Sequence, residues 1–197
     1  MPQATLPLLA KVWFLATAPA VIVDSIFVLM RPQRADVPHP LAEVVPFTYW
    51  TMYAQYDRRY TANEDAFVVV QSWMNLAEVA MGVCALFLSM CNRQSDAIKL
   101  TIVVALMTLY KTVLYCLVDV AEGFKYTRHN PFQDRLTMLI APWSLWIITP
   151  SILLYQCFRA PAVENVPCTS KPKAVASPHP QQHRQQGHKN HKGGKTK

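Results

Sequence analysis

Glycine is scarce in this chain: there are five in 197 residues, three of them among the last eleven, which leaves Gly82 and Gly123 as the only glycines of the body. Phosphate-cradling loops and dinucleotide fingerprints need several glycines close together, so nucleotide chemistry of that kind is excluded. No C-x-x-C pair, H-E-x-x-H helix, G-x-S-x-G elbow or N-x-S/T acceptor occurs. Of the five cysteines, Cys84, Cys91, Cys116 and Cys157 lie in or beside apolar stretches and Cys168 stands near the C-terminus, so neither a disulfide framework nor a zinc site is indicated. Charge is also sparse, at 16% of residues against 52% hydrophobic. A water-soluble domain carries about a quarter charged residues. The mean hydropathy is nevertheless only +0.12, so the distribution of the apolar residues decides the class. Fifteen prolines, many at segment edges, argue against one long coiled coil or a continuous sheet.

Four stretches are long and apolar enough to cross a bilayer, for which about 20 mostly apolar residues are needed. They are 12–30, with Asp24 as its one charge; 66–90, with Gln71, Asn75 and Glu78 inside; 97–120, beginning near Lys99 and carrying Lys111 at its middle; and 136–158, uncharged but interrupted by Pro142 and Pro150. A cleavable signal peptide competes for the first stretch, but Asp24 lies inside it and the apolar run exceeds a signal core. A soluble helical bundle competes for all four, and is disfavoured because four such segments seldom share one soluble fold. The expected fold is therefore an all-α membrane protein: a four-transmembrane-helix bundle over 12–158, preceded by a segment 1–11 and followed by a tail 159–197.

Four spans put both termini and the turn 91–96 on one side. That side carries Lys11, Arg93, Lys99 and the eight basic residues from Arg159 to Lys197, whereas the loops opposite mix Arg31, Arg34, Arg58, Arg59, Lys125, Arg128 and Arg135 with seven acids. The bias predicts cytoplasmic termini. The tail is rich in Pro, Gln, His and Lys, a composition that predicts disorder. Its lysines suit anionic lipid. His179, His183, His188 and His191 lack a fixed ligand spacing and read as solvated, so no metal is expected. Without interleaved aromatics, no nucleic-acid partner is expected either.

Charged groups inside a bilayer are costly and usually face a protein interior or cavity. Gln71, Asn75 and Glu78 recur at i, i+4 and i+7, which sets them on one helix face. The structural alternative is that these groups satisfy one another, with Asp24 or Glu78 pairing Lys111; Asp24 is also within sequence reach of Arg31 and Arg34. The functional alternative is an embedded acid/base pocket in which Asp24 and Glu78 exchange protons while Trp143 and Trp146 stabilise a cation. Tyr49, Tyr53, Tyr56 and Tyr60 fall on one face of 47–60, which predicts a short amphipathic helix in the headgroup region, with Asp57, Arg58 and Arg59 directed elsewhere.

The run Trp50-x-x-Tyr53-Ala54-x-x-Asp57-x-Arg59-Tyr60, then Asp65-x-Phe67, resembles the emopamil-binding protein family, the sterol isomerases of the EXPERA superfamily. So do Tyr110-x-x-Val113-Leu114-Tyr115-x-Leu117, Gly123-Phe124, His129-x-Pro131 and Trp146-x-x-x-Pro150, together with Asp24-x-x-Phe27 and Arg31-Pro32. The resemblance covers 12–158. It implies an endoplasmic-reticulum, multi-pass protein with a sterol-sized cavity and no cofactor, which shifts a ring double bond of a sterol or terpenoid by protonation and deprotonation. The family's opening-helix glutamate falls on Asp24, its second-span glutamate on Ser72 with Glu78 nearby, its fourth-span asparagine on Trp143, and its tryptophan on Trp146; the histidine one turn before the first acid falls on Ala20. The expected catalytic pair is Asp24 and Glu78, and the expected pocket residues are Gln71, Ser72, Asn75, Tyr110, Trp143 and Trp146. Expected partners are a sterol or other hydrophobic small molecule and membrane lipids, with a homodimer left open. A non-catalytic sterol or amphiphile binder, and an isomerase or cyclase of a specialised pathway, are the alternatives.

Overall fold

The computed structural model describes residues 5–160, so the tail lies outside the described residues. Those residues contain helices and no strand: α1 (Leu8–Leu29), α2 (Thr48–Tyr53), a 3₁₀ turn (Arg58–Tyr60), α3 (Phe67–Met90), α4 (Gln94–Ala121), α5 (Phe132–Asp134), a π-helical turn (Arg135–Ile140) and α6 (Ala141–Phe158). Helices α1, α3, α4 and the continuous run Phe132–Phe158 are each long and apolar enough to cross a membrane. The protein is an all-α, four-helix membrane bundle.

Three spans start earlier than the hydropathy pattern predicts, α4 at Gln94 by three residues and the first and last by four. Helix α1 begins at Leu8 because the Pro7 carbonyl accepts from the Ala10 and Lys11 amides, opening the first turn. Just before it, the Leu6 amide donates to Gln94 Oε1 at 2.9 Å, and Leu6 is buried. The last span begins at Phe132 rather than near 136, opened by the Pro131 carbonyl, which accepts the Arg135 amide at 3.1 Å, and it runs to Phe158 unbroken by either Pro142 or Pro150. Proline has no amide to give the carbonyl four residues back, and the wide π turn immediately before α6 absorbs that mismatch.

Helix α1 packs on α3, α3 on α4 and α4 on α6, whereas α1 and α6 do not pack closely along each other. Between α3 and α4 the chain turns through Asn92, held at φ +60°. Asparagine tolerates that left-handed conformation, which lets the Arg93 amide bond back to the Leu88 carbonyl at 2.9 Å. The end of the bundle that holds the termini is solid, filled by Leu6, Ala10, Phe14, Ala85, Ala97, Ile98, Val104, Ala105, Leu153 and Cys157. Small residues let α1 and α3 approach there: a Cβ on Gly82 would meet Phe14 Cδ1 at 3.1 Å. Outward, Leu15, Val83, Phe87, Leu106, Leu117 and Ile148 stay exposed, as expected of a surface solvated by lipid.

The opposite end is closed by a cap built from 30–66 and 122–131. The amphipathic helix expected over 47–60 is broken after Tyr53, and of its three charges only Arg58 faces outward: Asp57 and Arg59 are both 0% exposed. The reason is pairing. Arg59 Nη1 meets Asp119 Oδ1 at 3.1 Å and Nη2 meets Glu122 Oε2 at 2.6 Å, while Asp65 Oδ2 stands 3.8 Å from Nε. The guanidinium also lies over the rings of Tyr126 and Tyr115, at 4.9 and 5.2 Å. Asp57 Oδ1 accepts the Arg59 amide at 3.0 Å, and its other oxygen accepts the Tyr115 hydroxyl. Asp119 is completed by Thr127 Oγ1 at 2.9 Å. Arg31, also buried, donates to the carbonyls of Arg59 and Asp65 and so makes no pair with Asp24. Burial works against the Arg59 charge, but Tyr115, Glu122, Asp57 and Asp119 outweigh it and hold the guanidinium's pKa above its ordinary value. Burial pushes the Asp57 carboxyl above the usual carboxylate range, despite its two donors.

Removing one partner of a buried ionic cluster strands the others. Arg59→Met should therefore lower stability by about 3–5 kcal/mol, read as a drop in the unfolding midpoint of the detergent-solubilised protein. An unchanged midpoint would mean that the cap does not depend on this cation.

Candidate functional site

Between the solid end and the cap the bundle is hollow. A cavity of about 590 Å³ lies among α1, α3, α4 and α6, under the cap, within the range of about 300–1,000 Å³ usual for small-molecule pockets. Its aromatic wall comes from Trp13 on α1, Trp50 and Tyr53 on α2, Tyr60 on the 3₁₀ turn, and Trp143 and Trp146 on α6. Trp13 and Trp146 meet edge to face, with centroids 4.9 Å apart. The break after Tyr53 turns Tyr53 and Tyr60 inward, their rings also edge to face at 5.0 Å. Burial pushes both phenols well above their ordinary pKa, so both keep the proton and present O–H donors.

The polar wall is one connected chain across four helices, α1 to α4. Trp50 Nε1 donates to Asp24 Oδ1 at 2.8 Å, and Asn75 Nδ2 lies 3.4 Å from Asp24 Oδ2. Lys111 Nζ donates to Asn75 Oδ1 and pairs with Glu78 Oε1 at 2.9 Å. Thr108 Oγ1 donates to Glu78 Oε2 at 2.8 Å, and Gln71 Nε2 lies 3.4 Å from the Lys111 carbonyl. In this chain Lys111 directly neutralises Glu78, whereas Asp24 is contacted by neutral donors alone.

Asp24, Glu78, Gln71, Asn75, Trp143 and Trp146 all line this one cavity. Two expected residues do not. Tyr110 is 70% exposed on the outer face of α4, because Thr108, Lys111, Thr112 and Tyr115 occupy the inner face and position 110 lies about 100° away from Lys111. Ser72 is buried in helix packing with its hydroxyl bonded to the Val68 carbonyl at 2.9 Å, facing away from the chamber. Trp50, Tyr53, Tyr60 and Thr108 are site residues that spacing alone does not single out, although Thr108, Lys111, Thr112 and Tyr115 do recur at i, i+3, i+4 and i+7. Among the described residues no group of three His, Cys, Asp or Glu is placed to hold a metal ion.

Compared with protein-family models, with curated proteins and with solved structures, the chain finds no match. The chemistry of the site is therefore argued from its own geometry.

The Lys111–Glu78 pair makes a double-variant test available. Lys111→Met alone should destabilise the folded protein by about 3–5 kcal/mol, because Glu78 is left buried and unpaired. Lys111→Met with Glu78→Met should recover most of the loss. Unfolding in detergent measures both; strictly additive losses would contradict the pairing.

Proposed function

We propose that this protein is an intramembrane enzyme of the EXPERA type, resembling the emopamil-binding proteins, that moves a carbon–carbon double bond of a sterol or terpenoid. The observation that carries the reading is Asp24: a carboxyl group with only neutral hydrogen-bond partners, at the wall of an aromatic cavity within a membrane bundle. Protonated, it delivers a proton to one alkene carbon. The cation that forms on the neighbouring carbon is met by the faces of Trp50, Trp143 and Trp146. Loss of a proton from the carbon on the other side restores neutrality with the double bond displaced. Glu78 is the second proton-transfer group of this scheme, linked to Asp24 through Asn75 and Lys111. The balance closes without a cofactor, since one proton enters and one leaves. Residence in the endoplasmic-reticulum membrane with cytoplasmic termini belongs to the same proposal.

One observation favours a second reading. Glu78 is engaged on one oxygen by Lys111 and on the other by Thr108, which leaves it poorly free to accept a proton. A site with one carboxyl group that no cation contacts and an aromatic wall also suits a non-catalytic binder of a sterol or cationic amphiphile. Conversion separates the two. In membranes from sterol-isomerase-deficient cells supplied with an 8,9-unsaturated sterol, the wild-type chain should form the shifted product, and Asp24→Asn should lower turnover by about 10²–10⁴-fold. Full turnover by both Asp24→Asn and Glu78→Gln would end the acid/base assignment, and binding without any product would favour the binder.

A further inference from the structure

Lys111 is a buried amine whose nucleophilic nitrogen the proton-transfer scheme uses only as a link between Glu78 and Asn75. Its side chain is 9% exposed and lines the cavity, its Nζ is 2.9 Å from Glu78 Oε1, and it donates to Asn75 Oδ1. Thr108 holds the other Glu78 oxygen at 2.8 Å, so Oε1 is the oxygen turned to the nitrogen. An ion pair that only tied α3 to α4 could be replaced as a whole by apolar packing with little loss of stability. Here the amine and its counter-ion instead stand at the wall of a chamber large enough for a ligand, walled by tryptophan and tyrosine. Ionisable groups kept at such depth mark ligand counter-ion sites as well as proton paths.

We propose that Lys111 captures a hydrophobic, isoprenoid aldehyde as a protonated imine, with Glu78 as its counter-ion. The step is balanced within the site. A proton passes from Lys111 Nζ to Glu78, the freed lone pair bonds to the carbonyl carbon, and the carbonyl oxygen collects that proton and a second one from the nitrogen before leaving as water. Two N–H bonds and the C=O bond are lost; a C=N bond and the two O–H bonds of water are formed. The ammonium becomes an iminium of the same charge, so the pair with Glu78 is intact at the end and nothing is oxidised or reduced. An apolar chamber favours this outcome because the departing water gains bulk solvation while the isoprenoid chain gains aromatic contacts. The proposal rests on the cavity and not on the isomerase reading, so either can fail alone.

The full chain in detergent is incubated with farnesal or with all-trans-retinal, reduced with cyanoborohydride, digested and mapped by mass spectrometry. The expected result is a reduced adduct on Lys111 that is lost in Lys111→Arg, a variant that keeps the positive charge beside Glu78 but does not condense with aldehydes under these conditions. With retinal, an absorption shift should form and move again in Glu78→Gln, as the counter-ion is withdrawn. Adducts confined to solvent-facing lysines such as Lys99, or an adduct pattern that Lys111→Arg leaves unchanged, overturn the proposal. Should the Arg variant fail to fold, the map of the wild-type chain decides by the presence or absence of the Lys111 adduct.

Discussion

A guanidinium with no access to solvent stays charged only if acids and ring faces surround it, and most of the cap is arranged to meet that demand of Arg59. Asp119 and Glu122 come from the end of α4, Asp65 from the approach to α3, and Tyr126 and Tyr115 supply the ring faces. Arg31 reads the backbone of the same loop, and Asn130 donates to the Tyr56 carbonyl at 2.7 Å. Because buried ions lose hydration that pairing must replace, the cluster tolerates few alternative geometries. This fixes the loop between α2 and the 3₁₀ turn, and with it the inward aim of Tyr53 and Tyr60. The roof of the cavity is therefore set by electrostatics outside it.

Inside the bundle the same rule operates with different partners. The polar side chains of α1, α3 and α4 that face the chamber are each engaged by another side chain or by backbone, from Trp50 through Asp24, Asn75, Lys111 and Glu78 to Thr108. Such a chain holds helices together where lipid offers no hydrophobic drive to associate. It also grades the two carboxyl groups: one is committed to a cation, the other to neutral donors. That inequality, rather than the mere presence of two acids, sets the two carboxyl groups apart.

The spans were legible because bilayer thickness imposes a length on apolar runs, and the shared face of Gln71, Asn75 and Glu78 because the helical repeat imposes a spacing. Tyr110 was misjudged for a related reason. Helix α4 is apolar nearly all round, so Lys111 alone does not say on which side of it the inner face continues; Thr108 and Tyr115 do. Helix starts at Leu8 and Phe132 escaped hydropathy because each depends on the carbonyl of a preceding proline, which adds nothing to an apolar run. The cap escaped it most completely. Arg59 and Asp119 are 60 residues apart, and the local pattern of 47–60, polar on one side and aromatic on the other, suits a surface helix equally well until those distant partners are known.

The placement of Arg59 and its acids has a bearing on how the chain is assembled. Arg59 precedes α3, and Asp119 and Glu122 follow at the end of α4 and just beyond it, so the cation meets its partners only when both helices have crossed as an antiparallel hairpin and returned the chain to the side it left. During synthesis the arginine emerges well before those acids. A hairpin that inserts incompletely, or with one helix left outside the bilayer, separates the charges by the thickness of the membrane. Closure of the cap is therefore possible only once the two central spans have reached their final topology.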